Sequence, residues 1–293
     1  MTEIYGVIEE LEKNDFSTSQ LCEILSVSRS AYYAWYRGEA SIRQREDEQL
    51  KPMIRSIFRE HRRRYGARRI SDVLSDRGVC CGRLRTKRLM TKMDLVAIQP
   101  RSFKPRTTES RHTLGYNENL LLEAPPPDGI NQLWVGDITY VPLAGSSVFL
   151  YLAILMDRYS RRIVGWDIQD HMQESLVFSA LRAAIVSRSP QPGLIHHTDR
   201  GGQYAGKEYR KMLCRGRMKQ SMSRSNDCYD NAFMESCFGT IKTELEMAPY
   251  KNERIAKKEI YEYIRYYNMR RKHSSLNYLS PDEFERVVGE VSY

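Results

Sequence analysis

The chain has 293 residues, 41% of them hydrophobic and 28% charged, with a formal net charge of +9. That length gives about two ordinary domains with sizeable cores, and the composition excludes a chain disordered throughout. The longest apolar run, Val148 to Met156, is nine residues, too short for the ~20 that span a bilayer, and the surplus of Lys and Arg favours a polyanionic partner.

The charge is unevenly spread. The first fifty residues hold 5 basic and 10 acidic side chains, whereas Lys51 to Arg111 holds 18 Lys or Arg against 5 Asp or Glu, a local net of +13. Solvated helical faces also carry charge, but a block this long has the electrostatic footprint of a nucleic-acid surface. Six cysteines (Cys22, Cys80, Cys81, Cys214, Cys228 and Cys237) form no Cys-x-x-Cys pair and have no histidine at metal-like spacing, so they read as free thiols of a reducing compartment. Met1 to Tyr5 lacks the basic start and apolar stretch of a signal peptide.

In chain order, the first segment is helical. Ser17 reads as an N-cap ahead of Gln20–Leu25, and Ser26–Ser28 as a turn. Arg29 to Trp35 resumes a helix that ends near Gly38. Two short helices about a tight turn outline a helix-turn-helix, with Ser28, Arg29, Ser30, Tyr32 and Tyr33 in the recognition position. A second helical unit follows Glu46. Ile54, Ile57, Phe58 and His61 fall at helical spacing, then Arg62-Arg63-Arg64-Tyr65-Gly66-Ala67-Arg68-Arg69-Ile70, and Leu74, Val79, Leu84, Leu89 and Met90 continue the apolar period. Gln99 to Pro127 carries five prolines and little periodicity, closing in Pro125-Pro126-Pro127 as a stiff linker.

From Gln132 the period changes. Leu133–Val141, Val148–Met156 and Arg162–Ile168 read as three strands of an antiparallel meander, joined at Gly145-Ser146 and Arg158-Tyr159-Ser160. A helix from Gln173 to Ser187, a short strand Leu194–His197, a helix Tyr204–Cys214, a strand Met218–Met222 and a helix Tyr229–Glu246 follow. Glu259 to Tyr267 is a tyrosine-rich helix, Arg270 to His273 a small basic cluster, and Ser280-Pro281-Asp282-Glu283 a capping box with proline at the first helical position. Three strands, helix, strand, helix, strand, helix is the order of a ribonuclease-H-like fold. The predicted class is therefore α/β, a mixed five-stranded sheet with flanking helices preceded by an all-α helix-turn-helix region.

In that fold the first and fourth strands are neighbours, which brings Asp137 beside Asp199, and the later helix presents Glu235 to both. Two aspartates on strands and one glutamate on a helix suit hard divalent cations, which take oxygen ligands, in a two-metal phosphoryl-transfer site. Without a cation the three would repel one another. Asp157, Asp167, Asp170 and Asp230 are left out of the set; Asp157 suits a strand-end turn and Asp230 a helix start. His196 and His197 lack the further ligands of a zinc site; one reads as packed and the other as positioning DNA.

The motifs carrying a family resemblance are Trp134-Val135-Gly136-Asp137-Ile138-Thr139-Tyr140, Ser160-Arg161-Arg162-Ile163-Val164-Gly165-Trp166, His197-Thr198-Asp199-Arg200-Gly201-Gly202-Gln203-Tyr204 and Asp230-Asn231-Ala232-Phe233-Met234-Glu235-Ser236, with Tyr65–Ile70 and His273–Pro281 outside the core. In this ordered set the chain resembles the second-reading-frame (OrfB) transposases of the insertion sequence three family, bacterial relatives of retroviral integrases. The resemblance implies a DNA transposase that cleaves donor strands and joins a 3′-hydroxyl end to DNA through a circular intermediate. Two Mg²⁺ or Mn²⁺ ions are implied, bridged by Asp137 and held singly by Asp199 and Glu235. Its implied partners are element-end and target DNA, the first-frame (OrfA) product, acting with the chain or fused upstream of it because the chain has no long heptad seam of its own, and further copies of itself. Its implied place is the bacterial cytoplasm, on the nucleoid when bound to DNA.

The candidate DNA contacts are Arg29, Tyr32, Arg62, Arg63, Arg64, Arg68, Arg69, Arg200 and Lys242. The expected domains are 1–48, an N-terminal helix-turn-helix; 49–110, a basic second one; 111–130, a linker; 131–248, the catalytic core; and 249–293, its helical extension. Ser26 stands where the family commonly has glycine, and Asn226-Asp227 where it has Gly-Asn. A nuclease that cuts without joining and a non-catalytic DNA-binding regulator are the alternatives.

Overall fold

The computed structural model describes residues 2–14, 16–38, 40–100, 116–122, 124–144, 149–224, 232–246 and 249–291. The Gly145-Ser146 connection, Cys228, Asp230, Asn231, the Asn226-Asp227 departure and much of the expected linker lie outside them. The chain divides into two compact units, Met1–Ala97 and Ile98–Tyr293.

The first unit is all helix. Helices α1 (Thr2–Glu12), α2 (Thr18–Ile24) and α3 (Arg29–Tyr36) bury Tyr5, Ile8, Leu21, Cys22 and Tyr32 between them. Ser17 occupies the N-cap of α2, as its sequence predicts. The turn into α3 is tight enough to hold Ser26 at φ +52°, a left-handed conformation in which a side chain is strained; this is the physical reason for glycine at that place. Helix α4 (Ile42–Glu60) opens with a reciprocal Ser41–Gln44 capping box and runs without a break through Pro52. It therefore passes straight across the expected boundary at residue 48, because the Ser41 cap starts the helix before Glu46.

Helices α5 (Ala67–Asp76) and α6 (Arg83–Lys92) complete a helix-turn-helix packed on α4. Ile54, Ile57, Ile70, Leu74 and Leu89 are its fully buried centre. Arg85 and Arg88 of α6 turn back onto Asp47 of α4, at 2.8 and 2.6 Å. Leu84, expected in the apolar stripe, is instead 80% exposed, since Leu89 and Met90 set the buried face of α6 and Leu84 falls off it.

The second unit is built on one sheet in the order β3-β2-β1-β4-β5. Strands β1 (Leu133–Pro142), β2 (Phe149–Asp157) and β3 (Ile163–Gln169) form the antiparallel meander; β4 (Ile195–Thr198) and β5 (Lys219–Met222) lie parallel to β1. The fold class is as expected. β2 is apolar almost throughout because both its faces are covered. On one side, Leu133, Val135 and Val141 of β1 pack with α9 (Ala232–Glu244) and α10 (Glu253–Met269). On the other, Trp134 packs with α7 (Glu174–Arg188) and α8 (Lys207–Arg215). The alternation along β1 is the period-2 rule of a strand buried on two faces.

One expectation about this unit needs correction. Residues 116–122 do not belong to a free linker: Asn117 bonds Gln220, Met222 N–H donates to the Glu118 carbonyl and Leu120 N–H to Ser221 Oγ, so the segment covers the open edge of β5. Burial divides the basic cluster Arg270 to His273: Arg270 is exposed, whereas Arg271 and His273 are buried. Burial opposes the Arg271 charge, but the Glu244 carboxylate, which takes hydrogen bonds of 2.8–3.0 Å from it, outweighs that and holds its pKa above the ordinary value. Helix α11 (Pro281–Val291) begins at the expected Ser280–Glu283 capping box and is pinned to the core by ion pairs from Arg162 and Arg188 to Asp282 and Glu285.

Gly165 of β3 lies against α7 so closely that a Cβ would come within 2.2 Å of the Ala180 carbonyl oxygen and 2.7 Å of Ala184 Cβ. Gly165→Val therefore lowers stability by about 1–3 kcal/mol, since the helix must shift away from the sheet; chemical denaturation of the purified chain measures it, and an unchanged midpoint would refute the contact. Ser26→Gly relieves the left-handed strain and raises the stability of the first unit by about 0.5–1 kcal/mol, which thermal unfolding of the same preparation reads out.

Candidate active site

The parallel register of β1 and β4 pairs Trp134 with His196 and Val135 with His197. Two residues further on stand Asp137, within β1, and Asp199, just past the end of β4, and this register puts them level. Asp137 lies on the α9 side of β1, in phase with Leu133 and Val135, and is half-buried. Its Oδ1 accepts the Ile138 N–H at 2.7 Å, and Asp199 Oδ1 accepts the Gly201 N–H at 2.9 Å. Both aspartates line one small depression with Tyr140, Met172, Gln203 and Tyr204. Tyr204 is fully buried, and its hydroxyl is held well above its ordinary pKa by burial first and by the two aspartates next.

Glu235 is in the first turn of α9 and exposed. The helix presents it because Met234, Cys237, Phe238 and Ile241 bury the adjoining stripe against β1. The electrostatics of Asp137 tie the group together. Burial, then Asp199, and then Glu235 push its carboxyl up to about 8, with the Ile138 N–H and the Lys242 ammonium pulling the other way. Lys242, two helical turns beyond Glu235, is itself half-buried and pulled down by that burial, with Asp137 resisting. Asp137, Asp199, Glu235 and Lys242 thus share one electrostatic environment.

The donor set is all carboxylate oxygen and carries more negative charge than Lys242 balances, which is what a hard divalent cation fits. Among the described residues no three His, Cys, Asp or Glu side chains are closed at metal-ligand spacing; Asp137, Asp199 and Glu235 stand on three separate elements, facing a common space.

The other candidates divide. Arg29 begins α3, exposed, with a long contact to Ser19 Oγ at 3.4 Å. Tyr32 is no surface reader: its ring is fully buried and its hydroxyl donates to Glu12 at 2.6 Å. Arg62, Arg63 and Arg68 are exposed, whereas Arg64 and Arg69 are half-buried, Arg69 lying over the Tyr65 ring. Arg200 is turned inward, donating to the Ser223 carbonyl at 2.8 Å and lying 4.7 Å from the Tyr116 ring centroid. His197 does not position DNA: it is fully buried with Nδ1 2.8 Å from Ser221 Oγ. His196, 2.6 Å from the Tyr209 hydroxyl, is held neutral by burial, its pKa pulled down to about 3. Asp157 accepts backbone N–H bonds from Asn131, Tyr159 and Ser160, a turn-former as expected.

A surface missed among the sequence-based candidates is the exposed face of α6, where Arg83, Leu84 and Lys87 project while Arg85 and Arg88 are engaged by Asp47. The signal was there in Arg83-Leu84-Arg85-Thr86-Lys87-Arg88, a basic run in the second helix of the pair. No helix among the described residues is long and apolar enough to cross a membrane.

Comparison with known proteins agrees with this layout. Two profiles described as "Integrase core domain" match residues 127–228 and 216–281, and one described as "HTH-like domain" matches residues 44–103. The "Insertion element IS600 uncharacterized 31 kDa protein" of Shigella sonnei is 41% identical over 274 residues, covering 93% of this chain and all of that one. The "Transposase InsF for insertion sequence IS3A" of Escherichia coli K12 is 35% identical over 283 residues, 95% of this chain and 97% of that one. Among solved structures, the human T-lymphotropic virus 2 (HTLV-2) integrase catalytic core domain in complex with magnesium aligns at a TM-score of 0.39 and 15% identity, over 53% of this chain and 95% of that one. On the strength of the full-length relatives, the chain belongs to the IS3 family of insertion-sequence transposases, carrying an integrase core domain and an HTH-like domain.

Proposed function

We propose that this chain cleaves DNA at the ends of its insertion sequence and joins the freed 3′-hydroxyl ends to DNA, with Asp137, Asp199 and Glu235 as the catalytic carboxylates. The observation that carries the reading is the level placement of Asp137 on β1 and Asp199 just past the end of β4, on the side of the helix that bears Glu235, where burial first and then Asp199 and Glu235 push the Asp137 carboxyl up to about 8. A buried carboxyl with two further carboxylates in electrostatic reach, in a chain of this family, is held for a cationic ligand rather than for its neighbours.

Asp137, Asp199 and Glu235 would hold Mg²⁺ or Mn²⁺, two ions being the number that suits Asp137 as a shared ligand. Such ions supply Lewis-acid stabilisation of phosphodiester oxygens and a more acidic attacking water or 3′-hydroxyl. The chain's own residues do the rest. The rigid sheet fixes the two aspartates, α9 brings Glu235 and Lys242 to one side, and Lys242 leaves a positive charge close to the reacting phosphate. The exposed face of α6, with Arg83 and Lys87, supports groove contact by the helix-turn-helix, and Arg62, Arg63 and Arg68 phosphate contact beside it. A first-frame partner and self-association on DNA belong to the same reading, as does bacterial cytoplasm as its place of action.

Glu235→Gln abolishes joining of labelled element-end DNA in Mg²⁺ or Mn²⁺, a loss of at least about a hundredfold given the size of such electrostatic effects, while binding of the same DNA is retained. Undiminished joining would remove Glu235 from the site. Wild-type chain that cuts without joining would favour the nuclease, and binding with neither activity the regulator.

The metal-free stability profile is a second test. The folded chain retains a proton on Asp137 up to about pH 8, whereas an ordinary aspartate releases it near 3.8. Folded protein therefore binds more protons than unfolded protein across that window, and this carboxyl costs stability as pH rises through it. In EDTA, Asp137→Asn is more stable than wild type at pH 8, by on the order of 1 kcal/mol or more, and the gap closes below pH 4. Added Mn²⁺ raises the melting temperature of wild type at pH 8 but not that of Asp137→Asn. A gap that is absent at pH 8, or Mn²⁺ stabilisation that survives the substitution, would contradict the assignment.

A further inference from the structure

The turn between β2 and β3 carries three arginines, Arg158, Arg161 and Arg162. Arg162 is paired with Asp282 and Glu285, and Glu285 also takes both terminal nitrogens of Arg188. The turn's own acid, Asp157, is spent on backbone N–H groups. Arg158 and Arg161 are left over. Their guanidinium carbons lie 3.8 and 3.5 Å from the centroid of one ring, that of Phe233, and neither guanidinium has a hydrogen bond or ion pair with any described residue. Both are half-buried.

Two cations on one ring, partly withdrawn from water and without a carboxylate among the described residues, form an arrangement that folding alone does not favour. Cation–π attraction offsets part of the desolvation, but the like charges repel. Burial lowers the pKa of each, and for Arg161 the nearby Arg158 lowers it further. Arg161 also sits at φ +63°, a left-handed conformation in which a side chain is strained. The missing element is an anion with several oxygens, which planar guanidiniums bind through paired hydrogen bonds.

Phe233 ties this doublet to the candidate active site. It lies in the first turn of α9 with Glu235, and the thiol of Cys237, one turn later on the same face, lies within the electrostatic reach of both Arg161 and Asp137. A DNA strand with one phosphodiester at three carboxylates must carry its neighbouring phosphates across this surface, where the carboxylates themselves would repel them. We propose that Arg158 and Arg161, stacked on Phe233, are a phosphate-binding site that holds the DNA backbone beside the carboxylate cluster. This rests on the transposase reading above and adds to it two DNA-binding residues in the core, far in sequence from the helix-turn-helix region.

The test is the salt dependence of binding, measured by fluorescence anisotropy with a labelled element-end duplex in a Glu235→Gln background, where nothing is cleaved. Replacing both charges, as Arg158→Gln with Arg161→Gly, should reduce the slope of log K against log salt by ~1.8, about 0.9 for each phosphate no longer neutralised, and weaken binding at moderate salt on the order of tenfold or more. Glycine at 161 relieves the positive φ, so this variant is chosen to fold; its melting curve is checked alongside. Arg158→Lys with Arg161→Lys keeps both charges and should keep the slope. A double-neutral variant that melts lower but binds with the wild-type slope would make the doublet a structural anchor for α9 and overturn the proposal. Should the double variant fail to fold, Arg158→Gln and Arg161→Gly are read singly, each with an expected slope change of ~0.9, and no change in either overturns it. If Glu235→Gln joins DNA normally while the arginine variants lose slope, the carboxylate assignment fails and the phosphate site stands. Absence of DNA binding by the parent chain would overturn both.

Discussion

Two carboxylates held level on adjacent parallel strands repel each other, and most of the second unit can be understood as what keeps Asp137 and Asp199 there regardless. Register does the first part. Once Trp134 pairs with His196 and Val135 with His197, the aspartates two residues on have no freedom to separate along the strands, and a slip of one residue would turn every side chain of β1 to the wrong face. Burial does the second, since β1 has α9 and α10 on one side and α7 and α8 on the other. The histidines just before Asp199 are part of that packing. Both are fully buried, and each has a ring nitrogen at hydrogen-bond distance from a hydroxyl, Tyr209 for His196 and Ser221 for His197, so they fix β4 rather than take part in chemistry.

Glu235 is held differently, from the far end of its helix. Helix α9 has its first turn at the site and its last at Glu244, which is buried against Arg271, with the Tyr263 hydroxyl donating to the same carboxylate at 3.1 Å. A buried ion pair contributes little net stability after desolvation, yet breaking it by removing one partner is costly. Its effect here is therefore directional: it fixes where α9 ends relative to α10. The two-residue separation between Arg271 and His273, whose guanidinium and ring also meet Tyr267, extends that anchor into the loop leading to α11. The site thus combines an exposed glutamate on a helix start with a helix end that cannot move.

Much of this was legible in the sequence, and the reason is periodicity. The apolar run of β2 and the alternation of β1 are local patterns that survive tertiary context, so the strands could be read directly, and their order with the helices gave the fold class in which β1 lies beside β4. What could not be read depends on partners remote in the chain. Tyr32 is buried because Glu12, twenty residues earlier, receives its hydroxyl. Arg271 leaves the surface because Glu244 waits for it, and Arg162 is engaged by residues more than a hundred positions away. A run of basic letters says nothing about which of its members are neutralised inside the fold. Leu84 shows the converse: a hydrophobic letter taken for core stands in water because its neighbours Leu89 and Met90 decide which face of α6 is buried.

Paired and unpaired arginines are accordingly the feature that separates scaffold from surface in this chain. Arg85 and Arg88 join α6 to α4, Arg162 and Arg188 join α11 to the sheet, and Arg271 joins α10 to α9. Each of these ties one helix to another element through a carboxylate that neutralises its charge. Arg158 and Arg161 obey a different logic, because an aromatic ring accepts a cation without neutralising it. Stacking on Phe233 positions the two guanidiniums without a carboxylate among the described residues to neutralise them. Cations fixed in that manner suit the proposed phosphate site, since a salt-bridged arginine would be fixed but spent, and a free one on a long flexible stem would lose entropy on every phosphate it caught.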